Sequence, residues 1–90
     1  GDGGKAIGPL QIHRSCWLDV RKADEKYEDC YDLEYSLRVF ERYMARYAKP
    51  SRLGRAVTDV DRARIWNGGP NGYKKDCTIP YANKIKKVLD

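Results

Sequence analysis

Apolar positions recur at helical spacing along most of this 90-residue chain. The clearest stretch runs from residue 31 to 48, where Leu33, Leu37, Phe40, Met44 and Tyr47 fall at i, i+4, i+7, i+11 and i+14. That spacing is one stripe of a 3.6-residue period and predicts an amphipathic helix. Arg38, Glu41, Arg42 and Arg46 lie mostly off the stripe, and Pro50 stops the helix. A shorter helix is predicted around His13 to Val20, carrying Trp17 and Leu18. Thr58-Asp59-Val60-Asp61 offers an N-cap with acids in the first turn. The helix it opens runs to about Trp66, with Val60, Ala63 and Ile65/Trp66 facing inward. A last helix starts near Pro80, a residue suited to a first turn, and turns Tyr81, Ile85, Val88 and Leu89 inward.

Between these stretches the pattern breaks. Residues 1–12 hold four glycines and a proline within their first nine positions, which excludes a helix there. A loop or short hairpin with a turn at Gly8-Pro9 is expected instead. Residues 21–30 read as a charged, solvated connector, and residues 49–57 as a basic loop turning at Gly54. Asn67-Gly68-Gly69-Pro70-Asn71-Gly72 ends the third helix sharply. The expected fold class is mostly α, with a short hairpin or irregular Gly-rich segment at the N-terminus.

Composition narrows the possibilities. Ninety residues suit one small domain and leave no room for a large buried cofactor cavity. No apolar run approaches the roughly 18 residues of a membrane span. Ten aromatic residues spread along the chain argue against disorder. Eighteen Lys+Arg against 13 Asp+Glu give a net charge of +5, which suits an anionic polymer such as a nucleic acid or a bacterial cell wall. Cys16, Cys30 and Cys77 allow one disulfide with a free thiol, or three free thiols. No C-x-x-C pair occurs and the chain has a single histidine, His13, so neither a metal nor a cofactor is expected.

Two segments exceed what plain core and surface require. Gln11 is flanked by Leu10 and Ile12, which would set its amide at an inner wall, or would make it a cap at the following helix. Trp66-Asn67-Gly68-Gly69-Pro70-Asn71-Gly72-Tyr73 is either an ordinary loop after a helix or a rigid turn whose backbone a ligand can approach closely. Asn amides and backbone groups match sugar hydroxyls and N-acetyl groups.

Four segments in order resemble the lysozyme superfamily, and most of all the invertebrate-type lysozymes. They are Gly8-Pro9-Leu10-Gln11-Ile12; Cys16-Trp17-Leu18-Asp19, similar to the family's Tyr-Trp-Ile-Asp; Tyr43-Met44-Ala45-Arg46-Tyr47-Ala48; and Arg64-Ile65-Trp66-Asn67-Gly68-Gly69-Pro70-Asn71-Gly72 followed by Thr78-Ile79-Pro80-Tyr81-Ala82-Asn83. Goose-type lysozymes and soluble lytic transglycosylases share the shorter motifs. The resemblance implies an α+β lysozyme-like fold and cleavage of the β-1,4 bond between N-acetylmuramic acid and N-acetylglucosamine. In that chemistry one carboxylic acid protonates the leaving oxygen and a second carboxylate assists as nucleophile, base or electrostatic support. The acid's pKa must be raised by an apolar setting.

The resemblance also assigns residues. The family's acid, a Glu in a Glu-Ser pair, falls before Gly1, and none of Glu25, Glu28, Glu34 and Glu41 aligns with it. The domain, residues 1–90, is therefore expected to lack an N-terminal segment that carries the acid. Asp2 falls close to the second carboxylate, although the loop to Gly8 is one residue shorter here; otherwise it is a turn residue. Tyr81 resembles the tyrosine whose hydroxyl orients the acid, against simple packing on the last helix. Gln11, Asn67, Gly68 and Gly69 resemble residues that line the sugar cleft, and Trp66 stands at a position that is often His. Val20 and Tyr73 stand where animal members usually carry Cys. The implied substrate is peptidoglycan or a chitooligosaccharide, the implied setting secreted or periplasmic, and the implied role bacteriolytic and antimicrobial. No nucleic-acid or membrane partner is expected. A lytic transglycosylase yielding an anhydro sugar, a non-catalytic wall-binding module and a basic nucleic-acid-binding domain are the competing readings. All the lysozyme readings place the Gln11 segment and the Asn67–Gly72 bend across a groove from each other.

Overall fold

A computed structural model describes residues 6–89, with the side chains of Ile85, Val88 and Leu89 outside the description. The described residues are mostly helical, as expected. In order they form α1 (Arg14–Val20), a 3-10 turn (Tyr27–Tyr31), α2 (Leu33–Tyr47), α3 (Pro50–Leu53), α4 (Asp59–Gly68), two further 3-10 turns (Gly72–Lys74 and Asp76–Thr78) and α5 (Ile79–Leu89). The chain divides into two compact units, Gly1–Tyr43 and Met44–Asp90, with the boundary inside α2.

The first unit opens with a tight hairpin. Ile7 and Ile12 exchange both backbone hydrogen bonds, at 3.1 and 2.9 Å, and residues 8–11 form the turn between them. The turn runs so close to the Tyr27–Tyr31 segment that a Cβ on Gly8 would collide with the Cys30 carbonyl. Residues 21–30 are not merely a solvated connector: Cys30 is fully buried, and Tyr27 donates a hydrogen bond to the Ile12 carbonyl at 2.5 Å. A chain of polar contacts explains the order. Trp17 Nε1 donates to Tyr35 Oη at 2.9 Å, Tyr35 Oη donates to Glu25 Oε1 at 2.9 Å, and Arg42 grips both Glu25 oxygens at 2.6 and 2.8 Å. Buried polar groups that are fully partnered in this way fix one arrangement.

The buried face of α2 differs from the predicted stripe. Leu33 and Leu37 are about half exposed, at 52% and 46%, while Tyr35, Ser36, Val39, Tyr43 and Met44 are buried. The cause is chemical. Tyr35 is drawn in by Trp17 and Glu25, and Ser36 is admitted because its hydroxyl donates to the Cys30 carbonyl at 2.7 Å.

In the second unit, the segment expected as a basic loop contains α3, started by Pro50 and closed by Gly54 in the left-handed region at φ 78°. α4 begins at the predicted cap. Thr58 Oγ1 accepts from the Asp61 N–H at 3.1 Å, and the Asp61 carboxylate accepts from the Thr58 N–H at 2.9 Å. Asp61 is buried, which its place in a first turn does not predict. Arg55 reaches back to it with two contacts of 2.5 and 2.7 Å. Ile65 is fully buried, and α4 packs against α5 and the two 3-10 turns before it. Of the four residues predicted to face inward on α5, only Tyr81 has a described side chain, and it is half-buried; the buried position is Ala82.

Candidate functional site

The end of α4 is shaped by its glycines. The helix carries through Asn67 and Gly68, two residues further than expected, and stops at Gly69, whose N–H still donates to the Ile65 carbonyl at 2.8 Å. Gly69 has φ 89° and ψ −174°, a region open essentially to glycine alone. A Cβ on Gly69 would meet open space, so the backbone conformation, not crowding, demands glycine there. Gly72 has the opposite reason: it is buried, and a Cβ would strike the Arg64 carbonyl.

The bend between them is tied down from several sides. The Gly72 N–H donates to the Gly69 carbonyl at 2.7 Å, and Lys75 Nζ donates to the Gly68 carbonyl at 2.7 Å. Thr78, fully buried, donates its hydroxyl to the Gly72 carbonyl and accepts from Arg64 Nε, both at 2.7 Å. Arg52 of α3 reaches the far side, at Pro70 and Asn71. Asn67 itself is exposed, and its side chain makes no hydrogen bond among the described residues. Trp66 beside it is half-buried. A rigid backbone carrying an uncommitted amide is an arrangement that can take an N-acetyl group, and the indole next in sequence is of a kind that can cover a sugar face.

Tyr81 lies on α5, which packs on α4. Its ring borders a cavity of ≈ 560 Å³ together with Cys77, Pro80, Asn83, Lys84 and Lys87, and its hydroxyl has no hydrogen bond among the described residues. Gln11 belongs to the first unit. It does not sit at an inner wall, and it does not cap α1. It is exposed at the tip of the hairpin, with its Nε2 donating to the Gly8 carbonyl at 2.9 Å. Its φ of 52° makes it the one non-glycine residue with a positive φ among those described. The physical reason is the turn: the four-residue reversal between Ile7 and Ile12 is left-handed at both ends, with Gly8 at φ 77° and Gln11 at φ 52°. Asp2 lies outside the described residues.

No described carboxylate with a shifted pKa is shifted in the direction a general acid requires. The Arg42 guanidinium holds Glu25 at about 2, aided by the Lys22 N–H and the Tyr35 hydroxyl. The Arg55 guanidinium and the Thr58 cap hold Asp61 at about 2. Both are anions fixed in ion pairs. Nor do Cys16 and Cys30 serve as nucleophiles. Burial pushes their thiols up to about 12 and about 11, so neither is a thiolate near neutral pH. Cys16, Cys30 and Cys77 are all unbonded, the second of the two alternatives left by counting.

Sequence reasoning found the α4 terminus through its glycines, but it missed Arg52, Lys75 and the buried Thr78. Their only sequence signal was membership of segments that read as basic loop or family motif.

Comparison with known proteins places the chain in a family. The Destabilase family model matches residues 2–88. A lysozyme of Meretrix lusoria is 33% identical over 87 residues, covering 96% of this chain and 70% of its own length. A lysozyme of Ostrea edulis is 34% identical over 82 residues, 90% of this chain and 58% of its own length. An invertebrate-type lysozyme of Ruditapes philippinarum is 31% identical over 87 residues, 96% of this chain and 62% of its own length. The chain thus spans 58% to 70% of the length of these relatives. With a family match over nearly every residue and relatives 31% to 34% identical, the chain belongs to the invertebrate-type lysozyme family.

Proposed function

We propose that this chain forms the sugar-binding part of a lysozyme-type glycoside hydrolase that cleaves the β-1,4 bond between N-acetylmuramic acid and N-acetylglucosamine in peptidoglycan. The observation that carries this reading is the α4 terminus. Asn67, next in sequence to Trp66, presents an uncommitted amide on a backbone that Gly68, Gly69 and Gly72 shape and neighbouring side chains lock. Asn67, Gly68 and Gly69 bind the N-acetyl group, and Trp66 covers a sugar face. Gln11, in the first unit, is a further sugar contact. Its exposure at the hairpin tip supports that role.

The general acid in this reading is a glutamate outside residues 1–90. Glu25 is held as an anion, and Glu28, Glu34 and Glu41 do not align with the family's acid. Asp2 acts as the second carboxylate, and Tyr81, with its hydroxyl uncommitted, orients the acid. The acid donates its proton to the leaving oxygen while the second carboxylate supports the oxocarbenium-like transition state. Action on a bacterial wall implies a secreted or periplasmic, bacteriolytic protein. No helix among the described residues is long and apolar enough to cross a membrane.

Calorimetric titration with chitohexaose tests the binding half. The wild-type chain is expected to bind, and Asn67→Ala to weaken binding about tenfold while thermal stability is kept. Equal affinity of the two would remove the α4 terminus from the site. A wall-binding module without catalysis is the second reading. Mass spectrometry of peptidoglycan treated with the full-length protein separates the readings, since residues 1–90 alone lack the acid in this reading. A product that gains water marks a lysozyme, an anhydro end marks a transglycosylase, and intact glycan marks a binding module.

A further inference from the structure

The bend from Asn67 to Gly72 combines three glycines with a proline, a composition that on its own leaves the backbone many conformations. Something must hold it if its groups are to meet a ligand already in place. On one side, Lys75 and Thr78 secure the Gly68 and Gly72 carbonyls. On the other, Pro70 has no N–H to offer, so its carbonyl is its only hydrogen-bonding handle.

Arg52 takes that handle. Its Nη1 donates to the Pro70 carbonyl at 2.9 Å and to the Tyr47 carbonyl at 2.7 Å, and its Nη2 donates to Asn71 Oδ1 at 3.1 Å. Its guanidinium also lies 5.5 Å from the centroid of the Tyr47 ring. One planar fork therefore joins the C-terminal end of α2 to the tip of the bend. It also fixes the orientation of the Asn71 amide. Lysine cannot reproduce this set, because a single ammonium lacks the planar, multi-donor geometry.

We propose that Arg52 is a positioning residue for sugar binding: it holds the Pro70-Asn71 tip, and through it the Gly69 backbone and Asn67, in the conformation that receives the ligand. This rests on the binding role proposed for the α4 terminus. Without Arg52 the ligand has to order the bend as it binds, and affinity falls although no direct sugar contact is lost.

The test titrates chitohexaose into the wild-type chain, Arg52→Lys and Arg52→Ala at a temperature where melting curves show each to be folded. Arg52→Ala is expected to raise Kd about tenfold and Arg52→Lys to fall between, with one site retained in both. Backbone order parameters for residues 68–72 are expected to drop in the same order, and a residue serving stability alone would leave them unchanged in the folded state. Wild-type affinity in Arg52→Ala overturns the proposal. So does a loss of affinity with unchanged order parameters, and if the alanine variant fails to fold, Arg52→Lys decides by the same two readouts. Absence of binding by the wild-type chain overturns the sugar-binding reading itself, and the role of Arg52 with it.

Discussion

Single side chains in this molecule separate stability from recognition. Glu25 and Asp61 are held at about 2 by their arginine partners, against ordinary values of 4.5 and 3.8. A depressed folded-state pKa means that protonation favours the unfolded chain. The stability these groups confer is therefore complete above about pH 4.5 and is lost as pH falls toward 2. Melting temperature followed from pH 6 to pH 2 should decline through that window, and Glu25→Gln should be less stable at pH 6 with a flatter decline. An unchanged slope in the variant would contradict the ion-pair assignment. Gln11 makes the opposite case. Its left-handed backbone costs about 1 kcal/mol relative to glycine, so Gln11→Gly should match or slightly exceed the wild type in stability while losing affinity for chitooligosaccharides. Denaturant unfolding beside sugar titration checks both halves. Neither feature was open to sequence reasoning. Asp61 read as a first-turn acid because its partner, Arg55, lies across a turn. Gln11 read as an inward amide or a helix cap because its neighbours are apolar and a helix follows, and nothing in residue type reports a φ of 52°.

At the scale of elements, periodicity located the helices but misjudged one buried face. The α2 stripe was drawn through Leu33 and Leu37, the residues that look most apolar, whereas burial follows Tyr35, Ser36 and Val39. A tyrosine and a serine enter because Glu25, Trp17 and the Cys30 carbonyl satisfy their hydroxyls, and those partners lie six to 18 residues away. Leu37→Gln should therefore change stability by no more than about 0.5 kcal/mol, while Val39→Ala should cost roughly 1.5–3 kcal/mol. Chemical denaturation of the two variants compares them directly, and the reverse order would restore the periodic stripe. The α4 terminus was far more legible, since its glycines mark the helix end whatever packs around it. Gly72→Ala should destabilise by about 1–3 kcal/mol or more through collision with the Arg64 carbonyl. Gly69→Ala should cost a similar amount through backbone strain alone.

Over the whole chain, charge is divided unevenly. The first unit carries seven Lys+Arg and nine Asp+Glu, a net −2, and the second carries 11 and four, a net +7. The basic character seen in composition thus belongs to the unit that holds the α4 terminus. α5 contributes exposed Lys84, Lys86 and Lys87 with no acid in its own length. Binding to an anionic wall should weaken as salt rises past the point where the Debye length falls to about 10 Å. Replacing these three lysines with glutamine should reduce that sensitivity and leave affinity for the uncharged chitohexaose unaltered. Co-sedimentation with bacterial sacculi across a salt series measures the first effect. The single measurement that bears most directly on the account is a backbone amide NMR titration of the 90-residue chain with chitohexaose. Saturable shifts that include Asn67, Gly68 and Gly69 are predicted. A spectrum that stays still at those three amides while the sugar binds elsewhere, or does not bind, would contradict it.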